Sequence, residues 1–301
     1  MRAPNLNDLY APQNINPSGF NDLHTGVTST LLVISSGNPD LKPEVAQTLT
    51  LGAVYRPQWL PGFSLAIDYY DISIDNAIAS IAASNTSVQR ECEASNGTSL
   101  LCELFERPLP FTDHTPANFP TRTFSRSLNA ATLNTHGIDG EMNYATPLFD
   151  GNFSIRGLIS YQPKNVLVNF KGSTPLDRAG AAGLPAYRAT AFLHYDISAY
   201  SIDLLQRWHS STGRSSDPTQ IFDAPRVGAR AYTDVTLSYR LKTRNLGAAQ
   251  FFVTVQNVFD RQPAAFVNTG GPSTVPGFFV PVTNGDDPIG RYYTAGIRFR
   301  L

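Results

Sequence analysis

The 301-residue chain contains no run of about 18 apolar residues, the length a membrane-crossing helix needs. That excludes helical spans but leaves a barrel open, because a spanning strand needs only about ten alternating residues. Charge of one sign is also missing. Lys and Arg total 23 against 24 Asp and Glu, for a net charge of -1, so the strongly basic face of a nucleic-acid binder is absent and no nucleic-acid partner is expected. The opening "MRAPNLNDLYAPQNINPSGF" has no charged segment followed by an apolar one, so no secretory signal is expected there. Cysteine is scarce: Cys92 and Cys102 are the only two, close together in a polar stretch. They allow a loop disulfide, which implies an oxidising compartment, or two free thiols in a cytosolic protein.

What is present is alternation. In 290–301, "GRYYTAGIRFRL", Tyr293, Ala295, Ile297, Phe299 and Leu301 share one face, and Tyr292, Thr294, Gly296, Arg298 and Arg300 share the other. The same period of two runs through 44–57, 62–75, 132–146, 151–162, 186–197, 199–211, 229–242 and 247–259. The reading is therefore all-β, with about nine long antiparallel strands in a sandwich or a barrel. The connections discriminate between these. Residues 58–61, 147–150, 198 and 243–246 are tight turns, whereas 76–131, 163–185, 212–228 and 260–289 are long and hold most of the Pro, Gly, Ser and Asn. Strict alternation of short and long connections is the pattern of an antiparallel transmembrane barrel. Tyr55, Tyr69, Tyr144, Tyr161, Tyr200, Trp208, Tyr239 and Tyr293 sit on the apolar rows, many near strand ends, where an interfacial aromatic girdle belongs. Arg156, Arg207, Arg230 and Arg240 fall on the opposite, lumen-facing rows, with Arg188, Arg298 and Arg300. Nine strands alone would leave two unpaired edges in lipid. Either a further strand hides in 1–43, for example "TSTLLVIS" at 28–35, or the chain is the tail of a longer protein.

Four segments then carry a resemblance. "RAPNLNDLYAP" at 2–12, "GNPDLKPEVAQTLTLGAVYRP" at 37–57, "FFVTVQNVFDRQP" at 251–263 and the final "GRYYTAGIRFRL" are similar, in order, to segments of the TonB-dependent outer-membrane receptors. The resemblance spans essentially the whole chain and implies the C-terminal part of a plugged barrel of about 22 strands. Residues 1–43 are then an extracellular loop leading into the wall, and 44–301 the strands with short periplasmic turns and long extracellular loops. The plug domain and the TonB box of the family are not in this sequence. The implied function is binding of an extracellular ligand (a siderophore, a vitamin-like cofactor or an oligosaccharide) for TonB-energised uptake, with the piece inactive alone. The implied partners are outer-membrane lipid, the TonB complex in the full-length receptor and the barrel-assembly machinery. In the family the last strand is an assembly signal, here Tyr293, Ile297, Phe299 and Leu301, although it usually ends in Phe. The alternative is a passive porin-like or adhesin barrel.

Catalytic chemistry is not expected, nor any bound cofactor or metal. The five histidines are scattered. His194 and Asp203 face inward and are near enough across the turn at Ser198 to meet, but a lumen hydrogen bond explains them better than a metal site that lacks a third ligand. "NGDD" at 284–287 lacks the positions of a calcium loop, and "TGGPSTVPG" at 269–277 lacks the Lys and helix of a phosphate loop. Loop aromatics such as Phe119, Phe124, Phe266, Phe278 and Phe279 are candidates to touch a ligand.

Overall fold

The computed structural model describes residues 1–181, 183–215, 221–243, 247–263, 265–267, 279–281 and 286–300. Two short strands come first, β1 (Asn14–Asn21) and β2 (Thr28–Ser36). Nine follow as a meander: β3 (Val45–Tyr55), β4 (Phe63–Ala82), β5 (Arg122–Leu148), β6 (Gly151–Val168), β7 (Tyr187–Ile197), β8 (Tyr200–His209), β9 (Arg230–Thr243), β10 (Gly247–Gln256) and β11 (Tyr292–Arg300). Each of β3 to β11 is hydrogen-bonded to the next in sequence, and the pairs from β6 onward are antiparallel. The sheet is open: among the described residues β3 and β11 are not joined to one another.

Contacts divide the chain into two compact units. The first is Met1–Thr48, Ile72–Asn134 and Val166–Leu176; the second is Leu49–Asp71, Thr135–Asn165 and Asp177–Leu301. In the second, register fixes the two faces. Tyr200 lies opposite Tyr239 and Ile197, and Leu204 opposite Val235 and Leu193, so the apolar rows line up across strands. Asp203 lies opposite Thr236 and His194, which aligns the polar rows. Cross-strand aromatics add to the outward row, with Tyr161 stacked on Tyr187 at 4.3 Å and Tyr200 tilted against Tyr239 at 5.0 Å. The apolar row is not a core. Leu51, Tyr200, Leu237, Tyr293, Ile297 and Phe299 are all more than half exposed. Each such side chain forgoes about 1.5–3 kcal/mol of burial in water, so a second apolar phase is the solvent this face requires. Two tight turns reverse the chain through positive φ at Phe149 (53°) and Ser198 (54°).

The first unit holds the buried core: Phe20, Leu31, Ile81, Val88, Leu101, Leu104, Phe105, Leu128 and Phe170 pack together. The hairpin of β1 and β2 contributes Phe20 and Leu31 to it. The helix Thr86–Ala94 is capped by Asn85, whose side chain accepts from the Ser87 N–H, and buries Val88, Gln89 and Cys92. A 3-10 turn at Leu100–Leu104 follows, and Cys92 and Cys102 form a disulfide with 5.2 Å between Cα atoms.

The strand readings at 62–75 and 132–146 stopped early: β4 runs on to Ala82 and β5 begins at Arg122. The added lengths lie in the first unit, where Ile81, Leu128 and Ala131 are buried, so the alternation that marks a two-faced strand is not imposed there. The segment 28–35 is a strand, but it does not extend the wall as a tenth spanning strand. It pairs with β1 and runs parallel to Arg122–Arg126 at the start of β5.

Candidate functional site: an inward polar row and a braced loop unit

The polar row of the second unit is a set of charges, only some of them paired. Arg156 reaches Glu141 at 3.0 Å, and Glu141 also accepts from the Asn143 amide at 2.9 Å. Arg207 reaches Asp234 at 3.1 Å and lies 5.7 Å from the Tyr232 ring centroid. Asp234 also accepts the backbone N–H of Asn257 at 2.8 Å, so it ties β8 and β9 to the end of β10. His194 meets Asp203 at 2.6 Å through Nδ1 and faces Asp196 at 3.4 Å through Nε2. His209 and Tyr232 both hydrogen-bond Asp286, each at 3.0 Å. Among the described residues Arg230 and Arg240 make no ion pair; Arg230 donates to the Ala229 carbonyl at 3.2 Å, and Arg240 is exposed. A hollow of about 430 Å³ opens on this face, lined by Arg156, His194, Asp203, Asp234, Thr254 and Gln256. Its walls also include apolar side chains such as Phe192 and Leu205, so it presents both polar and apolar surface.

Three of the sequence segments that carried the resemblance have a physical role here. Arg2 of "RAPNLNDLYAP" grips Glu44 of "NPDLKPE" through two bonds, 2.7 and 2.9 Å, and Glu44 also accepts the Ile78 N–H at 2.6 Å. Asn38 of the same segment donates to the Ser127 carbonyl at 2.9 Å and accepts the Asp40 N–H at 3.1 Å. Asn257 of "QNVFD" is fully buried with φ of 49°, accepting from the Arg261 N–H at 2.8 Å while its amide donates to the Arg261 carbonyl at 2.9 Å. Asp260 then accepts the Arg291 N–H at 2.9 Å, bringing the chain to the start of β11. These polar side chains stand in for backbone partners where the strands end.

Sequence reasoning passed over the buried pair of the first unit. Asp22 is 0% exposed and receives Arg107 through two bonds, 2.7 and 2.9 Å, and the Thr25 hydroxyl at 2.7 Å. Burial pushes the Asp22 carboxyl up, but the bonds from Arg107 and Thr25 and the Arg107 charge outweigh it and hold the carboxyl below its ordinary value. Asp22 and Arg107 come from loops read as featureless, and no spacing rule links them. Of the candidate aromatics, Phe119 and Phe124 pack against the first unit's core and stay partly exposed. The side chains of Phe266 and Phe279, the whole of Phe278, Leu301, all of 269–277 and part of 284–287 lie outside the described residues.

With that geometry in place, the comparisons are specific. Residues 1–258 match the family described as TonB dependent receptor-like, beta-barrel. No curated protein matches the chain. Among solved structures, a variant of the ferric enterobactin receptor of Pseudomonas aeruginosa in complex with enterobactin is similar, with TM-score 0.61 and 18% identity over 98% of this chain and 36% of that one. The siderophore receptor PirA of Acinetobacter baumannii gives 0.56 and 14% over 99% and 37%, and the RagAB peptide transporter 0.53 and 11% over 97% and 38%. The chain thus spans little more than a third of the length of these proteins, and at such identities the likeness is one of fold. The family is one of outer-membrane receptors and transporters of Gram-negative bacteria. The match over residues 1–258 makes this chain a member of the TonB-dependent receptor-like β-barrel family.

Proposed function

We propose that the chain supplies part of the wall and the outer loops of a receptor that takes up an iron-loaded siderophore with energy from the TonB complex. The observation that carries this is the polar row of β9, on which Arg230, at the end next to a long connection, makes no ion pair among the described residues. Ferric complexes of catecholate siderophores are anions, and siderophore receptors are among the fold's neighbours. Lipid covers the outward row of Leu237, Tyr239 and Ile297; the short turns face the periplasm and the long connections face outward. The last strand is the segment recognised by the barrel-assembly machinery. By itself this piece binds at most weakly and transports nothing, because the family's plug domain is the part that TonB displaces. A passive porin or an adhesin is disfavoured, since neither needs the receptor segments anchored by Arg2, Glu44 and Asn257.

The test uses a receptor carrying this segment, with radiolabelled iron delivered as ferric enterobactin to cells starved of iron. Replacing Arg230 by Ala removes a charge-assisted contact worth about 1.5–3 kcal/mol, so affinity falls by about tenfold or more. Unchanged uptake by the Arg230→Ala variant refutes the anionic-ligand reading. Uptake of a neutral peptide in its place moves the assignment to peptide transport.

A further inference from the structure

We propose that His24, His114 and Glu93 form a binding site for one divalent transition-metal ion of the Zn²⁺ class within the first unit. One ligand atom from each of the three lies within 4.8 Å of the others. They arrive from separate segments: His24 from the turn between β1 and β2, Glu93 from the last turn of the helix Thr86–Ala94, and His114 from the stretch before the 3-10 turn at Pro116–Asn118. Each segment is held independently. Gln89 accepts the Leu23 N–H at 2.8 Å and donates to the Asn21 carbonyl at 3.1 Å, which docks the turn on the helix.

The proton positions make the site specific. Nε2 of His24 is 3.0 Å from the Asp113 carbonyl, which can only accept, so this nitrogen carries a hydrogen. In the neutral ring the lone pair then lies on Nδ1. That atom faces the two carboxylate oxygens of Glu93 at 2.9 and 3.1 Å, and the His24 side chain is 0% exposed. A lone pair and a carboxylate repel at that distance unless a cation lies between them, either a proton or a metal. His114 repeats the arrangement: Nδ1 donates to the His24 carbonyl at 3.2 Å, leaving the Nε2 lone pair for a ligand bond. Histidines that bind metals characteristically give their other N–H to a backbone carbonyl, which fixes tautomer and ring orientation. Both histidines do so here.

The neighbouring acids are already engaged, so Glu93 is the carboxylate left for the ion. Asp22 is held by Arg107 and Thr25, and Asp113 accepts the Thr115 N–H and hydroxyl at 2.8 and 2.6 Å. Glu93 is 32% exposed in its side chain, which gives an ion a way in. Ligands about 2.0 Å from a tetrahedral ion stand about 3.3 Å apart, so the His24–Glu93 separation opens slightly and the His114 ring, its centroid now 4.1 Å from that of His24, turns to aim its free nitrogen at the ion. Two imidazoles and a carboxylate suit Zn²⁺ and its first-row neighbours, with a fourth position for water. The ion would tie three otherwise separate loops of the first unit together, and the proposal does not depend on which ligand the receptor carries.

The full chain in detergent micelles, stripped with a chelator and titrated with ZnCl₂ by calorimetry, is expected to bind one Zn²⁺. His114→Ala and Glu93→Gln should each weaken binding by at least about tenfold, the lower end of what loss of even a supporting residue costs. His136→Ala, a histidine outside the first unit, should leave it unchanged. Thiol titration showing Cys92 and Cys102 still oxidised, with an unaltered near-ultraviolet spectrum, certifies the fold of each variant. Should a variant misfold, modification of the exposed His114 by diethyl pyrocarbonate in the unaltered chain decides: Zn²⁺ protects it if the site is real. A folded chain that binds no Zn²⁺, equal modification with and without it, or binding undiminished by both substitutions overturns the proposal, and a proton then lies between His24 and Glu93.

Discussion

Replacing Asp22 by Asn takes one charge from a place that water does not reach. The Asp22 side chain is 0% exposed and that of Arg107 9%, and after the change Arg107 has only uncharged acceptors, the Asn118 carbonyl at 2.9 Å and one amide oxygen. Removing one partner of a buried ion pair leaves the other charge uncompensated, at a cost of about 3–5 kcal/mol. The loss falls on local opening of the first unit, whose core includes Phe20 and Phe105, each within two residues of one partner. Asp22→Asn should therefore raise the open population at least about 100-fold, read as faster amide exchange and faster proteolysis within 83–121. Asp22→Leu combined with Arg107→Met should recover most of the loss, because apolar replacement of a whole buried pair is often neutral or stabilising. The pH dependence has one sign. The folded-state pKa of Asp22 lies below its unfolded value of 3.8, so its contribution is complete above that value and disappears as pH falls through the lower, folded one. Between pH 7 and 5 this pair should contribute no change. A cost of Asp22→Asn below about 1 kcal/mol, or a double variant as unstable as the single one, would refute the reasoning.

Two further outcomes separate the faces and the loops. Leu237→Arg places a charge on the outward row and should cost about 2–4 kcal/mol if that position lies near the bilayer midplane, whereas Thr236→Arg on the inward row should fold into vesicles with near-normal yield. Equal yields for the two would break the assignment of the faces. Converting Cys92 and Cys102 to Ser should destabilise the first unit by about 2–4 kcal/mol, seen as proteolysis within 83–121 at lower urea concentration, while the pairing of β7 to β10 keeps its exchange protection.

The strands were legible where two solvents enforce them. Val235, Leu237 and Tyr239 alternate with Asp234, Thr236 and Ser238 because one row meets an apolar phase and the other a polar one, and the same rows appear in the register of β8 to β10. The meeting of His194 with Asp203 was legible for the same reason, since a tight turn fixes which residues lie opposite. Where that enforcement ends, so does the signal. Ile81 and Leu128 are buried inside the first unit, and the strands carrying them were read as loop. Asp22 with Arg107, and His24 with Glu93 and Asp113, meet only after long segments have folded. Their partners carry no periodicity by which to be found. Glu44 and Asn257 stood within recognisable segments, but their tasks, holding Arg2 and turning the chain after β10, are visible only in the hydrogen bonds.

The meander also sets the order in which the chain can find its shape. Across β6 to β10 each strand pairs with the next in sequence, so pairing can advance one hairpin at a time, with little entropy lost at each step. The first unit has no such route: Asp22 must find Arg107 across 85 residues, and His24 must find Asp113 across 89. Contacts that distant slow folding, because the ends must be brought together before the contact repays the cost. The chain therefore has a fast part and a slow part, and its aggregation hazard lies in the interval between them, when the hairpins of the second unit have paired and the core of the first has not.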